Sequence, residues 1–423
     1  MIRFYHTADI HFGVENYGKT DPKTGIHTRL LDFNKSFGEC IDQAIAENID
    51  LFLLCGDAYK TAYPTPTQQK MLMGQLLRLY AAGIPVAIIV GNHDHPLSFG
   101  KANALEIFAA LPVEGFVVFS RPSAQTIATK NGPVQVVGIP WPARNTIITH
   151  EMHRLKDHGE IARHLSEQVG IIIGSLAATL DPNIPSILAG HLTVSNGIFS
   201  GSEKCAVFGN DPLFLPSQLA IEPFDYVALG HLHRHQNLNT LGGAPVVYAG
   251  SIERVDFGER KENKGFCKVT ITQGDLGKRT CSFAFQEVAT RPMIQIEVTL
   301  TEQGSQTEQI LAALRSYNLT DAIIKIVYHL AEAQQDTVDL ASVQQAVSQA
   351  HYLVGIFPIH KIVARTNRAS VAQSMDFTTL VQRYFETKPE LTGQKELLLA
   401  KALQLEEGLS LEDAGEHEAA NQL

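Results

Sequence analysis

Short apolar runs separated by longer segments of helical period set the rhythm of the chain up to about residue 285. The runs are Ile2–Tyr5, Ile49–Cys55, Ile84–Val90, Val134–Ile139, Ile184–Ala189, Phe224–Leu229, Val246–Ala249 and Phe266–Ile271. Each has the length of a strand. Between the early runs, Leu30, Leu31, Phe33, Phe37, Cys40, Ile41, Ala44 and Ile45 mark one face of a helix, and Met71, Leu72, Leu76, Leu77 and Leu79 mark another. The alternation predicts a layered α/β domain whose second half is richer in strands. Two stretches fall outside it: Ser120–Gly132 is polar and turn-rich, and Glu151–Gly170 is a charged helical stretch with three histidines. Both read as surface decoration.

The character of the chain changes near Gln286–Pro292. Strand, helix, strand, helix and strand are then predicted over Met293–Leu300, Glu308–Ser316, Ala322–Tyr328, Leu340–Ala350 and Leu353–Val363, a compact α+β unit. After Arg365 comes a linker, Thr366-Asn367-Arg368-Ala369-Ser370, and then two amphipathic helices separated by Pro389. The first carries Phe377, Leu380, Val381, Tyr384 and Phe385; the second carries Leu397, Leu398, Leu399, Leu403 and Leu405. Helices this short must bury such faces against something other than themselves. The expected division is 1–285 for the α/β domain, 290–365 for the smaller α+β domain and 370–423 for the helical tail.

Composition narrows the function. A chain of 423 residues with net charge −10 does not hold DNA or a membrane by bulk positive charge. From Phe385 onward there are nine acidic residues against three Lys, so −6 lies in the tail and only −4 elsewhere. Nucleic acid would have to be met by a local patch or by a metal. Five cysteines, Cys40, Cys55, Cys205, Cys267 and Cys281, are odd in number and form no C-x-x-C pair, which suits buried free thiols in a reducing cytosol. The N-terminus lacks the basic-then-apolar pattern of a signal peptide and no apolar stretch approaches a membrane span, so a cytoplasmic location without membrane attachment is expected.

Five of the apolar runs end alike, with a potential metal ligand just past the last buried residue: Asp9-Ile10-His11, Gly56-Asp57, Gly91-Asn92-His93-Asp94, Gly190-His191 and Gly230-His231-Leu232-His233. In open α/β sheets, ligands bind beyond the carboxyl ends of the strands, so five such ends can share one crevice. Asp9 with His11, and His231 with His233, stand two residues apart, which in an extended chain points a pair to one side. Two carboxylates, one amide oxygen and four imidazoles, with no thiolate, suit Mn, Fe, Co or Zn. Seven ligands are too many for one ion and fit two that share a carboxylate. Asp57 is the natural bridge. Such a pair of ions would clamp an in-line displacement at phosphorus.

These motifs, in this order, resemble the calcineurin-like metallophosphoesterase superfamily. The stretch Val247-Tyr248-Ala249-Gly250-Ser251-Ile252-Glu253-Arg254-Val255-Asp256-Phe257-Gly258-Glu259, continuing through Lys264-Gly265-Phe266, is similar to the SbcD-type nuclease subunit of SbcCD complexes. That resemblance implies a two-sheet sandwich flanked by helices, a capping domain and a tail that binds an SbcC-like ATPase. It implies a DNA exonuclease and endonuclease of double-strand-break repair, using two divalent ions, manganese foremost, with a homodimer as a further option. Asp9, His11, Asp57 and His233 would surround one ion, and Asp57, Asn92, His191 and His231 the other. His93 would then face the scissile phosphate without binding metal, and Asp94 would hold its tautomer. Where some nucleases of this group carry a histidine, this chain has Lys60, which leaves the balance of exonuclease and endonuclease activity open. Arg29, Lys60 and Arg254 stand as candidate phosphate contacts or ordinary surface charge, and Trp141 as a packing residue. Glu259 and Asp256 lie in the resembling loop without a role that sequence supplies. A stand-alone phosphoesterase of nucleotides or phosphoproteins, and a scaffold without catalysis, are the competing readings; an intact set of ligands disfavours the scaffold.

Overall fold

A computed structural model describes residues 1–96, 101–111, 113–142, 158–201, 211–240, 242–274, 278–331, 334–360, 376–386 and 388–405. Cys205, His153, the linker after Arg365 and residues 406–423 lie outside these, as does the side chain of His158.

In chain order the strands are β1 (Ile2–Thr7), β2 (Leu51–Cys55), β3 (Val86–Ile89), β4 (Phe116–Phe119), β5 (Ser123–Thr129), β6 (Gly132–Ile139) and β7 (Ser186–His191). There follow β8 (Thr193–Val194), β9 (Leu213–Phe214), β10 (Tyr226–Gly230), β11 (Gln236–Asn237), β12 (Val246–Tyr248), β13 (Gly265–Gln273) and β14 (Arg279–Glu287). They build two six-stranded sheets, ordered β14-β13-β1-β2-β3-β4 and β11-β12-β10-β7-β6-β5. In the first sheet β1 to β4 pair parallel and β13 and β14 join antiparallel at one side; in the second, β12, β10, β7 and β6 pair parallel and both edge strands are antiparallel.

Strand periodicity explains why the central runs are apolar throughout. In β2, Phe52 and Leu54 pack toward the helices α1 (Thr28–Ala46) and α2 (Pro66–Ala81), while Leu51, Leu53 and Cys55 join the core between the sheets. In β10, Tyr226 and Ala228 face that same inner core, and Val227 and Leu229 face the outer cluster that includes the helix His158–Ala177. The result is helix, sheet, sheet, helix. α1 presents Leu30, Phe33, Phe37, Cys40, Ile41 and Ala44 at helical spacing. α2 starts on a Thr65–Gln68 capping box with Pro66 in its first turn, which satisfies backbone donors the helix itself cannot.

Two expectations are corrected. Ser123–Thr129 is β5, the edge strand of the second sheet, registered against β6 with Ile127 buried. Polar residues are tolerated there because an edge strand is half solvated. The charged stretch after residue 151 contains the helix His158–Ala177, and its Leu165, Val169 and Ile173 are buried. It is a covering layer with one wet face.

The chain divides into two compact units, 1–297 with 307–327 and 339–357, and 298–306 with 328–338 and 358–423. A three-stranded sheet is ordered β15 (Met293–Thr299), β16 (Ile323–Leu330), β17 (Tyr352–His360), with helices Gln306–Leu314 and Leu340–Ala346 between the strands. Within the first unit, Met293 and Ile323 pack on Phe257, and Arg291 forms a bidentate pair with Asp32 at 2.8 and 2.7 Å. In the second, the helix Phe377–Glu386 leaves Phe377 and Tyr384 exposed. Among the described residues no helix is long and apolar enough to cross a membrane.

Candidate metal centre

All seven candidate ligands lie where their strands stop. β1 gives way to Asp9 and His11, β2 to Asp57 and β3 to Asn92, while His191 closes β7 and His231 and His233 follow β10. The first sheet thus supplies four and the second three. The loops after β1 and β2 continue side by side, with Asp9 N donating to Gly56 O (3.0 Å), His11 N to Asp57 O (2.9 Å) and Phe12 N to Ala58 O (3.0 Å). Four of the seven residues, Asp9 (φ 53°), His11 (51°), Asp57 (51°) and His231 (108°), have left-handed backbone, which side chains other than glycine adopt only at a cost. Glycine is needed beside them. A Cβ on Gly56 would fall on the His191 imidazole, and one on Gly230 on the Cys55 carbonyl. At Gly190 the nearest atom to such a Cβ is the end of the flexible Leu192 side chain at 3.1 Å, a milder constraint.

Asp57 stands at the centre, wholly buried. Its Oδ2 is 3.4 Å from His191 Nε2, 3.8 Å from His11 Nε2 and 3.9 Å from His93 Nε2. Its Oδ1 accepts from the backbone N–H of His93 at 2.9 Å. On one side, Asp9, His11 and His233 gather within ligand reach, and the Nε2 atoms of His11 and His233 are 3.0 Å apart. On the other, Asn92 Oδ1 is faced by His191 Nε2 at 2.9 Å and His231 Nδ1 at 3.3 Å.

The far nitrogens of two of these rings are held. His233 Nδ1 is 2.7 Å from Glu259 Oε1, and His191 Nδ1 is 2.8 Å from the Cys55 carbonyl. Carboxylate and carbonyl oxygens only accept, so each Nδ1 carries hydrogen and each Nε2 is turned inward. His231 Nε2 lies 3.5 Å from Asp211, and its ring packs on Trp141 at 4.9 Å between centroids. The donor set therefore fits two divalent cations: inward imidazole nitrogens, an amide oxygen and two buried carboxylates, one of them between the groups.

Electrostatics follow from this crowding. Burial alone would raise the Asp57 carboxyl, but His191, His93 and His11 hold it well below the ordinary carboxylate range. Burial pushes Asp9 up to about 7. It opposes a charge on His191, yet Asp57 and Asp9 outweigh it and raise that imidazole to about 9. His11, buried among other imidazoles, drops well below its usual value.

His93 sits at the rim, about a third exposed, its ring 5.0 Å from that of His11. The expected partnership with Asp94 is corrected: His93 Nδ1 is held by the Lys60 carbonyl at 2.9 Å. The Asp94 carboxylate instead accepts from the backbone N–H groups of Gly91 (3.1 Å), Ala58 (3.3 Å) and Tyr59 (3.0 Å), pinning the loop after β3 to the loop after β2. Burial, reinforced by Asp57, pushes its carboxyl up to about 7. Arg29 and Arg254 are likewise occupied. Arg29 is buried and donates to Asp32 and to the Arg254 carbonyl, and Arg254 donates to Thr290 Oγ1 and the carbonyls of Arg291 and Glu262. Both are structural cations rather than phosphate contacts. Sequence reasoning missed Glu259, Lys264 and Asp211, which look like solvated loop charges until the fold brings them behind the cage.

Residues 2–235 match the profile of the calcineurin-like phosphoesterase family. Among solved structures, a dimetal phosphatase from Danio rerio is 11% identical with TM-score 0.38, covering 67% of this chain and 98% of that one. A protein from Thermus thermophilus is 12% identical with TM-score 0.34, covering 59% and 90%. A metallophosphoesterase from Sphaerobacter thermophilus is 12% identical with TM-score 0.24, covering 82% and 99%. Likeness at that level carries no assignment, whereas the profile spans more than half of the chain and contains the whole cage. The chain belongs to the calcineurin-like phosphoesterase family.

Proposed function

We propose that this phosphoesterase is a DNA nuclease of the SbcD type, working with two divalent cations, manganese foremost, and with an SbcC-like ATPase in the cytoplasm. The observation that carries the metal-dependent hydrolysis is the convergence of seven donors around Asp57. The nuclease assignment is supported by the resemblance of Val247–Phe266 to that family and by the exposed aromatics of the helix Phe377–Glu386.

Asp9, His11, Asp57 and His233 would hold one cation and Asp57, Asn92, His191 and His231 the other. Bound there, the cations neutralise phosphate charge and acidify water. The protein does the rest. Glu259 and the Cys55 carbonyl fix which imidazole nitrogens point inward. His93, hydrogen-bonded through Nδ1–H to the Lys60 carbonyl, presents Nε2 at the rim, where it can deliver a proton to the leaving 3′ oxygen. Asp94 holds the loop that carries it.

End-labelled linear DNA and circular DNA, offered with Mn2+ with and without the co-purified ATPase, test this reading. Cleavage of single strands by the isolated chain and ATP-dependent processing of duplex ends by the complex are expected. Deleting the residues after 368 should leave the first nearly intact and abolish the second together with co-purification. A chain that hydrolyses only nucleotides or phosphopeptides would be the stand-alone enzyme. A truncated chain that still captures the ATPase at full yield would move the interface elsewhere.

A further inference from the structure

Behind His233 lies a buried charge network of which the reading above uses only the contact of Glu259 with His233. Glu259 Oε1 meets His233 Nδ1 at 2.7 Å. Its Oε2 meets three donors: Lys264 Nζ at 2.8 Å, the Val255 backbone N–H at 3.0 Å and Ser251 Oγ at 3.3 Å. Lys264 also donates to the His233 backbone carbonyl at 2.9 Å and to Glu262 at 3.0 Å. Glu259 is 0% and Lys264 2% exposed. A buried ion pair of this kind is poorly explained as a source of stability, because well-packed apolar side chains usually serve as well.

We propose that Glu259 and Lys264 are positioning residues that keep His233 in the tautomer able to bind a cation, and so decide whether the half of the centre formed by Asp9, His11 and His233 fills. The proposal rests on the two-cation reading above. The two carboxylate oxygens have divided tasks. Oε2 is saturated by donors and cannot turn away, so Oε1 is fixed as an acceptor facing Nδ1. Nδ1 therefore carries the hydrogen and Nε2 keeps its lone pair for the metal. Lys264 grips the same histidine at both ends, at its backbone carbonyl and through Glu259.

Glu259→Gln separates these tasks without changing shape. A glutamine has one acceptor oxygen, and three donors compete for it at the Oε2 position. The amide NH2 is then left facing Nδ1, which must become an acceptor and send its proton to Nε2, the atom aimed at the cation. A carboxylate, with two acceptors, avoids that choice.

The test uses the full chain. Glu259→Gln, Lys264→Met and, as a control, Glu253→Gln are compared with wild type for Mn2+ content and for stepwise Mn2+ affinity by calorimetry. Glu253 is a buried glutamate bonded to Ser36 and the Arg254 N–H, away from the cage. Histidine-selective 15N NMR of the chelated proteins reads the His233 tautomer. Wild type and Glu253→Gln should bind two ions with His233 protonated at Nδ1. Glu259→Gln should weaken one ion by about ten- to a hundredfold, leave the other unchanged and move the proton to Nε2. Lys264→Met should weaken the same ion by about tenfold. Two ions bound by Glu259→Gln with wild-type affinities, or equal loss of both, would overturn the proposal. So would wild-type His233 protonated at Nε2, a measurement that needs no variant to fold. A wild type binding fewer than two ions would instead remove the two-cation reading itself.

Discussion

His233 and His191 are both buried imidazoles pointing Nε2 into the same cage, yet one leans on a carboxylate and the other on a peptide carbonyl. The Glu259 anion behind His233 is itself compensated by Lys264, and His233 first and then Lys264 hold Glu259 well below the ordinary carboxylate range although burial works the other way. The Cys55 carbonyl behind His191 brings no charge, and the negative charge that His191 feels comes from Asp57 and Asp9 in front of it. His233 is thereby held in one tautomer by a charge that is itself balanced. A histidine supported by a neutral dipole, with anions ahead, is a ligand that must first shed a proton. The two halves should therefore fill with different dependence on pH, and substitutions should divide according to whether they strike one half, both or neither.

The largest effect is expected at the residue the halves share. Asp57→Ala should lower cleavage by at least about a thousandfold and bound metal to less than one ion per chain, because the two cations lose the charge between them. Metal analysis beside a nuclease assay decides it, and two ions retained would take Asp57 out of the bridge.

His93 lies within ligand reach of His11 and Asp57 but on the proposed reading serves the leaving group rather than a cation. His93→Ala should keep both ions and DNA binding while turnover falls by about a hundred- to ten-thousandfold, since a group acting on the transition state costs rate rather than ground-state affinity. Loss of metal as complete as in His191→Ala would make His93 a ligand instead.

The smallest effect separates the halves themselves. His191, raised to about 9, must release a proton before its Nε2 can bind. Between pH 7 and 9 the affinity of the ion at Asn92, His191 and His231 should thus rise with pH, by up to about tenfold per unit. Asp9, raised to about 7 by burial, must be ionised to bind, so the ion at Asp9, His11 and His233 should weaken as the pH falls through 7. Calorimetry in buffers of different ionisation enthalpy counts the protons released at each step. Identical slopes for both ions would erase the distinction.

How much of this could be read beforehand depended on the range of the interaction. The ligands were legible because each sits at the end of an apolar run, and strand ends in parallel sheets face one rim. The layered α/β character was legible from the alternation itself, whereas the two-sheet sandwich came from the resemblance. Neighbours in sequence misled at Asp94, which adjoins His93 yet reaches back to the N–H groups of Gly91, Ala58 and Tyr59. Nothing local marks Glu259 or Lys264 as buried behind a ligand, because they bond one another and near neighbours, and only His233, which follows β10, gives them a role at the cage. β5 was hidden by the polar composition an edge strand permits; the helix His158–Ala177 was legible as a helix, but its charges and histidines concealed the face that Leu165, Val169 and Ile173 bury.

The ligands come from both sheets, and Gly230 lets the end of β10 rest directly against the carbonyl that ends β2. A cation bridging Asp57 and the histidines of the second sheet would then act as a fastener across the seam of the sandwich. Its removal should do more than silence the enzyme. Chelation should raise amide hydrogen exchange first at the carboxyl ends of β2 and β10, opening the molecule from the rim inward, while the helices packed on the outer faces stay protected.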